Sequence, residues 1–396
     1  MPGSRETRID LVRGISLLFI FVDHSDVSFS TLLQQSRGFC DAAELFVMMA
    51  GMSAALAYAP PGGRANLGRV GSRTWRRAFK LYRVHLVLLA AMLAAVAMLP
   101  LPWSQELRSA WALDPVFAAP WRYALEAVSL RYMPADLDIL PLYVLLIAAV
   151  PLFLGIAQRS AMLALGLSLG LWLAAGLLHL NLTNLAEARS GWFFNPFSWQ
   201  LIFLCGLLAG LRIKRGEEPF PYSRPVFVAA ALFALVAIPA NLYMQLEVSA
   251  DSPVRHLLMS KTSEGPLRVL NALAIAYVVF NLDALKRVFA WSWLGPVHAA
   301  GRNSLPIFVT GIVLSNTAAA VVICHGSFPL ALELTAIAIG LAIQLAVAHH
   351  LGRTRREPSG EPVSSLVVAS PEDQDYGYAQ ATEPAAIPDA ARNSAT

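Results

Sequence analysis

Apolar residues come in runs of about 17 to 25, separated by short charged or Pro/Gly-rich breaks. They show no two-residue alternation of the kind a half-buried strand requires. Wound as a helix, a run of that length satisfies its own backbone groups and crosses about 30 Å of hydrocarbon. The pattern predicts about ten such helices, over 12–32, 42–59, 81–99, 138–156, 161–180, 196–213, 224–244, 267–283, 301–324 and 329–350. The expected fold class is all-α, a polytopic integral membrane helix bundle. No repeat pairs the two halves, and no matched Gly/Pro-broken helices of the inverted-repeat transporter kind stand out. The first run is long, carries ionisable residues and lacks a small-residue cleavage site, so it reads as a retained helix. From residue 352 the chain turns to Glu, Asp, Pro, Ser and Ala without periodicity, which cannot bury enough apolar surface to order itself. The expected organisation is a membrane domain over 1–351 and a disordered cytoplasmic tail over 352–396.

Composition agrees: 56% of the 396 residues are hydrophobic and 14% charged, outside the usual soluble range. The bilayer is the partner this demands. The net charge of +4 is small, and no nucleic-acid partner is expected. The placement of the charge says more than its sum. Basic residues gather at Arg5 and Arg8, at Arg64, Arg69, Arg73, Arg76, Arg77 and Lys80 in the second loop, at Arg212, Lys214 and Arg215, at Lys286 and Arg287, and at Arg353, Arg355 and Arg356. With ten crossings these segments share one side. The positive-inside rule makes that side the cytoplasm, with both termini there. The 100–137 loop, mixed in sign with Glu106, Arg108, Asp114, Arg122, Glu126, Arg131 and Asp136, then faces outward. Cys40, Cys205 and Cys324 have neither metal-ligand spacing nor a disulfide framework, so no metal site is expected.

The candidate chemistry lies in charges placed inside apolar runs. In "RIDLVRGISLLFIFVDH" Arg13 and His24 are eleven positions apart. On a helix that puts them about 20° from one line and about 16 Å apart along the axis, facing one groove. Asp23 points about 100° from His24. In "GFCDAAELFVMMAG" Asp41 and Glu44 share a face near the outer end of the second helix, at a depth compatible with His24. Ionisable groups in hydrocarbon cost several kcal/mol and normally face a bundle interior or wet cavity. A carboxylate beside an imidazole suits general-base chemistry, because it fixes the tautomer and stabilises the imidazolium. Glu44, or failing that Asp23, is the expected partner of His24. Singly, each of these residues can also just hydrogen-bond a neighbouring helix; the concentration of five in two adjacent helices points to a site. The run "RTWRRAFKLYR", with Arg73, Arg77 and Arg83, has a sufficient positive-inside explanation and, alternatively, the makings of a phosphate-binding lip. Asn195, Trp199 and Gln200 in "WFFNPFSWQLIF", Lys261, Arg268 and Asn271 in "KTSEGPLRVLN", and Arg302, Asn303 and Ser304 in "GRNSLPIF" add polar groups to apolar settings. Aromatics and amides on an outward rim are also what a sugar cleft uses.

The segments "RIDLVRGISLLFIFVDH", "GFCDAAELFVMMAGMSAALAY", "DILPLYVLLIAAVP", "WFFNPFSWQLIFLCG" and "GRNSLPIFVTG" resemble, in order and over about 5–350, the OpgC-type membrane succinyltransferases of osmoregulated periplasmic glucans. That family is similar to the wider transmembrane acyltransferase (acyltransferase type 3) superfamily, in which an Arg precedes a His by about eleven residues in the first helix, here Arg13 and His24. The resemblance implies a bacterial inner-membrane enzyme with no permanently bound cofactor. Its donor would be a cytoplasmic acyl-CoA, succinyl-CoA in the glucan family, and its acceptor a glucose hydroxyl of a periplasmic glucan. It implies that His24 is catalytic and that Arg13 supports the donor or the fold. Two departures stand out: where many superfamily members carry a second His this chain has Gly311, and "AGMS" replaces the usual end of the second helix. The expected mechanism has the arginines Arg73, Arg77 and Arg83 holding the CoA head, His24 deprotonating the sugar hydroxyl, and Asp41, Asn195, Trp199, Gln200 and Ser304 contributing to substrate binding. The rival readings are a transporter using the same His and carboxylates as a proton relay, and an O-acetyltransferase of another polysaccharide.

Overall fold

A computed structural model describes residues 6–60, 64–134, 137–186, 191–249 and 252–354. From residue 355 the expected tail lies outside the described residues, as do Arg5 and Asp136. Among the described residues every regular element is a helix.

The first helix, α1 (Thr7–Asp23), stops nine residues before the end of the apolar run 12–32. The cause is the polar sequence Asp23-His24-Ser25, whose side chains compete for backbone groups. The His24 imidazole meets the Ile20 carbonyl, and Ser25 Oγ donates to the Phe21 carbonyl at 2.6 Å. A short α2 (Ser30–Gln35) follows. Next, α3 (Ala42–Tyr58) opens on a capping box in which Asp41 accepts the Ala43 N–H at 2.8 Å and Glu44 accepts the Asp41 N–H at 2.9 Å.

The predicted basic second loop is largely helix. α4 (Leu67–Met98) has 32 residues, which makes it about 48 Å long against about 30 Å of hydrocarbon. The surplus turns carry Arg69, Arg73, Arg76, Arg77 and Lys80. The mixed-charge region folds as α5 (Trp103–Ala110), α6 (Asp114–Ala118) and α7 (Pro120–Val128). The fourth apolar run is broken into α8 (Ile139–Ala148) and α9 (Val150–Ala157), bent by 46° beside Pro151, which has no N–H to continue the ladder. Then come α10 (Ala161–Leu177), α11 (Pro196–Lys214), α12 (Arg224–Glu247), α13 (Pro253–Met259), α14 (Pro266–Asn281), α15 (Asp283–Phe289), α16 (Gly295–Arg302), α17 (Ser304–His325) and α18 (Leu330–Thr354). Five of these, α4, α11, α12, α17 and α18, are long and apolar enough to cross a membrane, or up to seven crossings if the bent pairs α8/α9 and α14/α15 each count as one. α3 and α10 are shorter apolar helices.

Glycines set the closest approaches. A Cβ on Gly206 would stand 1.9 Å from the Met48 carbonyl oxygen, and one on Gly51 would stand 2.0 Å from that of Phe203. Only hydrogen fits, so the α3 and α11 backbones touch, the small-residue packing that helices use in lipid, where apolar burial offers little drive. The same device joins α1 to α16, since a Cβ on Gly301 would lie 1.7 Å from the Asp10 carbonyl oxygen. That contact brings the start of α17 against α1. Outward faces such as Met162, Leu163, Leu167 and Leu171 on α10, and Leu232, Leu235 and Leu246 on α12, are exposed apolar surface of the kind lipid covers.

Candidate active site

Arg13 sits where α1, α3 and α17 converge. Its guanidinium donates to Ser53 Oγ at 3.2 Å and to Ser304 Oγ, and lies 5.9 Å from the Phe46 ring centroid. Ser53 in turn donates to the Met49 carbonyl at 2.8 Å. These groups line a cavity of about 210 Å³ with Tyr58, Arg77 and Tyr143. The basic stretch of α4 divides there. Arg73 and Arg77, four apart, share the partly buried face, and Arg73 lies 5.5 Å from the Tyr58 ring. Arg83 is exposed and packs its guanidinium 5.2 Å from Phe79. It is turned about 120° from Arg77, so it does not join the expected lip.

His24, the residue that caps α1, lines a second cavity of about 270 Å³ with Asp23, Asp41, Asp138, Lys261, Trp111, Phe193 and Phe194. Arg13 and His24 therefore do not share one groove. Ile139 and Phe308 line both cavities, which adjoin there. His24 Nδ1 is 2.7 Å from the Ile20 carbonyl oxygen. A carbonyl only accepts, so the neutral ring is the Nδ1–H tautomer and Nε2 carries the basic lone pair. The backbone of α1 thus orients the ring through Nδ1.

Both expected carboxylates have other partners, and Asp23 also lies within electrostatic reach of His24. Fully buried Glu44 accepts from Arg268 on Oε1 and from the Asp41 N–H on Oε2. Arg268 also reaches Asp41 at 3.2 Å, and Lys261 Nζ lies 2.6 Å from the same carboxylate. The result is a buried network tying α14 and the turn before it to the start of α3. Asp23 is held by Arg37 at 2.5 Å, whose guanidinium stacks 4.6 Å from Phe19. Asp41 and Asp23 still present to the His24 cavity, and Glu44 does not line it.

The amides and the tryptophan expected at a sugar cleft have partners inside the bundle. Asn195 caps α11 through the Phe197 N–H at 3.0 Å and donates to the Leu180 carbonyl at 2.6 Å. Trp199, fully buried, donates to the Lys261 carbonyl at 2.9 Å. Gln200 accepts from Ser168 Oγ at 2.6 Å and donates to the Ser168 carbonyl at 2.9 Å. All three are satisfied inside the bundle, where they hold α10, α11 and the Lys261 turn together, and none borders the His24 cavity. Sequence reasoning missed Asp138, the buried residue just before α8, whose signal is an acid placed directly ahead of an apolar run. It also gave no role to Arg37, Ser53 or Lys261. At Gly311 an added Cβ would lie 3.1 Å from Gln344 Oε1, so that position packs against α18. Among the described residues no group of three His, Cys, Asp or Glu is placed to hold a metal ion.

The family model described as OpgC protein matches residues 5–356, nearly the whole membrane region. The chain belongs to the OpgC family. No curated protein and no solved structure shows a significant match to it. Membership in the OpgC family brings a role in modifying osmoregulated periplasmic glucans as a transferase.

Proposed function

We propose that the chain is a trans-membrane O-acyltransferase that moves a succinyl group from cytoplasmic succinyl-CoA to a glucose hydroxyl of a periplasmic glucan in the bacterial inner membrane, as a member of the wider transmembrane acyltransferase superfamily. The proposed topology has ten crossings, counting α1, α3, α4, α8/α9, α10, α11, α12, α14, α17 and α18, with both termini cytoplasmic. The observation that carries the reading is the pair of cavities that share Ile139 and Phe308, one lined by Arg13 and Arg77, with Arg73 behind its Tyr58, and the other by His24 and three carboxylates. The CoA phosphates sit near Arg73 and Arg77, and the thioester arm lies along the Arg13 cavity. The acceptor enters the His24 cavity, where Asp23, Asp41 and Asp138 take sugar hydroxyls and the rings of Trp111, Phe193 and Phe194 take its apolar faces.

In the reaction His24 Nε2 accepts the hydroxyl proton while the sugar oxygen attacks the thioester carbonyl carbon. The new C–O bond forms, the C–S bond breaks, and the thiolate leaves with the proton that the imidazolium returns. Ester and free CoA result, with His24 neutral again. Lys261, whose ammonium lies in the same cavity against Phe193 and Phe194 at 5.6 and 5.7 Å, supports an acyl group ending in a carboxylate.

The test uses the protein reconstituted in vesicles with succinyl-CoA on the side of the N-terminus and glucan on the other. Mass spectrometry should find succinyl esters on the glucan with the native chain. His24→Ala should lower their rate by about 10² to 10⁴ while the protein still inserts. Full activity of a folded His24→Ala protein overturns the base assignment. Accumulation of glucan or donor across the bilayer with no ester formed would favour transport.

A further inference from the structure

Two residues, Ile139 and Phe308, line both cavities, and both are apolar. Phe308 is 4% exposed and Ile139 is 6% exposed. On α17 a stripe at four-residue spacing runs Ser304, Phe308, Ile312. Ser304 touches Arg13, Phe308 borders both cavities, and Ile312 lines the His24 side. Each step of that stripe advances about 6 Å, so Phe308 falls near the middle of the about 16 Å between the Arg13 and His24 levels. Opposite it, Ile139 opens α8 directly after Asp138, so the residue that plugs the passage is chained to one that faces the acceptor.

We propose that Ile139 and Phe308 form the gate through which the donor's acyl arm reaches His24. This rests on the acyl-transfer reading above. An enzyme that admits charged ligands from both faces of a membrane must keep the two aqueous cavities apart, and an apolar plug of two side chains does so at the cost of moving one ring. Phe308 is the movable part, since its side chain projects from mid-helix with rotamer freedom about χ1 and χ2, while Ile139 is β-branched and stiff. The arm displaces the ring, the thioester enters beside Nε2, and the ring reseals the passage when the thiol withdraws. The width left by the displaced ring then limits which acyl groups cross.

The test places a cysteine at Ala57, which lines the Arg13 cavity, in a chain whose Cys40, Cys205 and Cys324 are replaced by Ala. A membrane-impermeant thiol reagent is added from either side of oriented vesicles. From the N-terminal side it should label Ala57→Cys whether or not Phe308 is changed, which reports that the cavity is formed, and CoA should protect that label. From the other side labelling should be slow with Phe308 present and rise by an order of magnitude or more in Phe308→Ala. Ile139→Ala serves as the second variant should Phe308→Ala not insert. In the activity arm Phe308→Trp, whose larger ring is harder to displace and leaves a narrower passage, should slow succinyl transfer by about 10- to 100-fold with CoA protection unchanged. Rapid labelling from the far side with Phe308 intact, or none after both substitutions, overturns the gate. Loss of CoA protection at Ala57→Cys with the far-side behaviour as expected instead overturns the donor site, and the acyl role of the gate with it.

Discussion

Glu44 offers the sharpest separation between a chemical and a structural role. Arg268 is buried between Asp41 and Glu44. Arg268→Met leaves the Glu44 carboxylate buried with the Asp41 N–H on one oxygen, while Asp41 keeps Lys261 at 2.6 Å. Removing one partner of such a buried pair costs about 3–5 kcal/mol, because the remaining charge is uncompensated. Glu44→Met should cost less, because Arg268 keeps Asp41 at 3.2 Å, with about 1 kcal/mol added for the lost half of the capping box. The double variant removes both charges and fills the space with side chains of similar volume. It should recover all but about 1–2 kcal/mol, giving a strong favourable coupling in the cycle. Stability is read by denaturant titration of the micelle-embedded protein with tryptophan fluorescence, and succinyl transfer is measured per mole of folded chain. The structure assigns the orientation of His24 to the Ile20 carbonyl, so the double variant should be both stable and active. A stable but inactive double variant would return Glu44 to the base. An Arg268→Met protein as stable as the native one would refute the ion-network argument itself.

The two faces of α4 should separate kinetically: Arg77→Gln raises KM for acyl-CoA by about 10- to 150-fold, as the loss of a charge-assisted contact of about 1.5–3 kcal/mol implies, whereas Arg83→Gln leaves it unchanged; equal effects would restore a purely topological role to both. Lys261→Met should lower the kcat/KM ratio of succinyl-CoA over acetyl-CoA by about tenfold, since only the former carries a carboxylate for the ammonium, and an unchanged ratio would remove it from acyl recognition. Gly206→Ala drives a methyl into the Met48 carbonyl oxygen 1.9 Å away, and should destabilise the α3/α11 pair by about 1–3 kcal/mol in the same denaturant titration; native stability would mean the helices part more easily than their packing implies.

What the chain makes legible on its own is local and periodic. The apolar runs mark where helices lie, since each of the ten predicted runs overlaps at least one, because a helix in hydrocarbon needs only its own residues to satisfy its backbone; run length did not fix the crossings, of which five to seven are long and apolar enough among the described residues. The Asp41-x-x-Glu44 spacing could likewise have been read as a capping box, a signal confined to four residues. The pairing of charges was not legible. Asp41 meets Arg268 from 227 positions away, and periodicity says which face a side chain occupies without saying which helix stands opposite. The same limit explains Asn195, Trp199 and Gln200, whose polarity in an apolar setting fits a binding rim or an internal bracket equally well until their partners are known. It also explains why Arg13 and His24, nearly in line on one helix, serve two cavities. Ile139 and Phe308 line both cavities, yet they are apolar residues indistinguishable in the sequence from the lipid-facing ones around them. Tertiary packing alone places them where the two cavities adjoin, because only the assembled bundle has an inside.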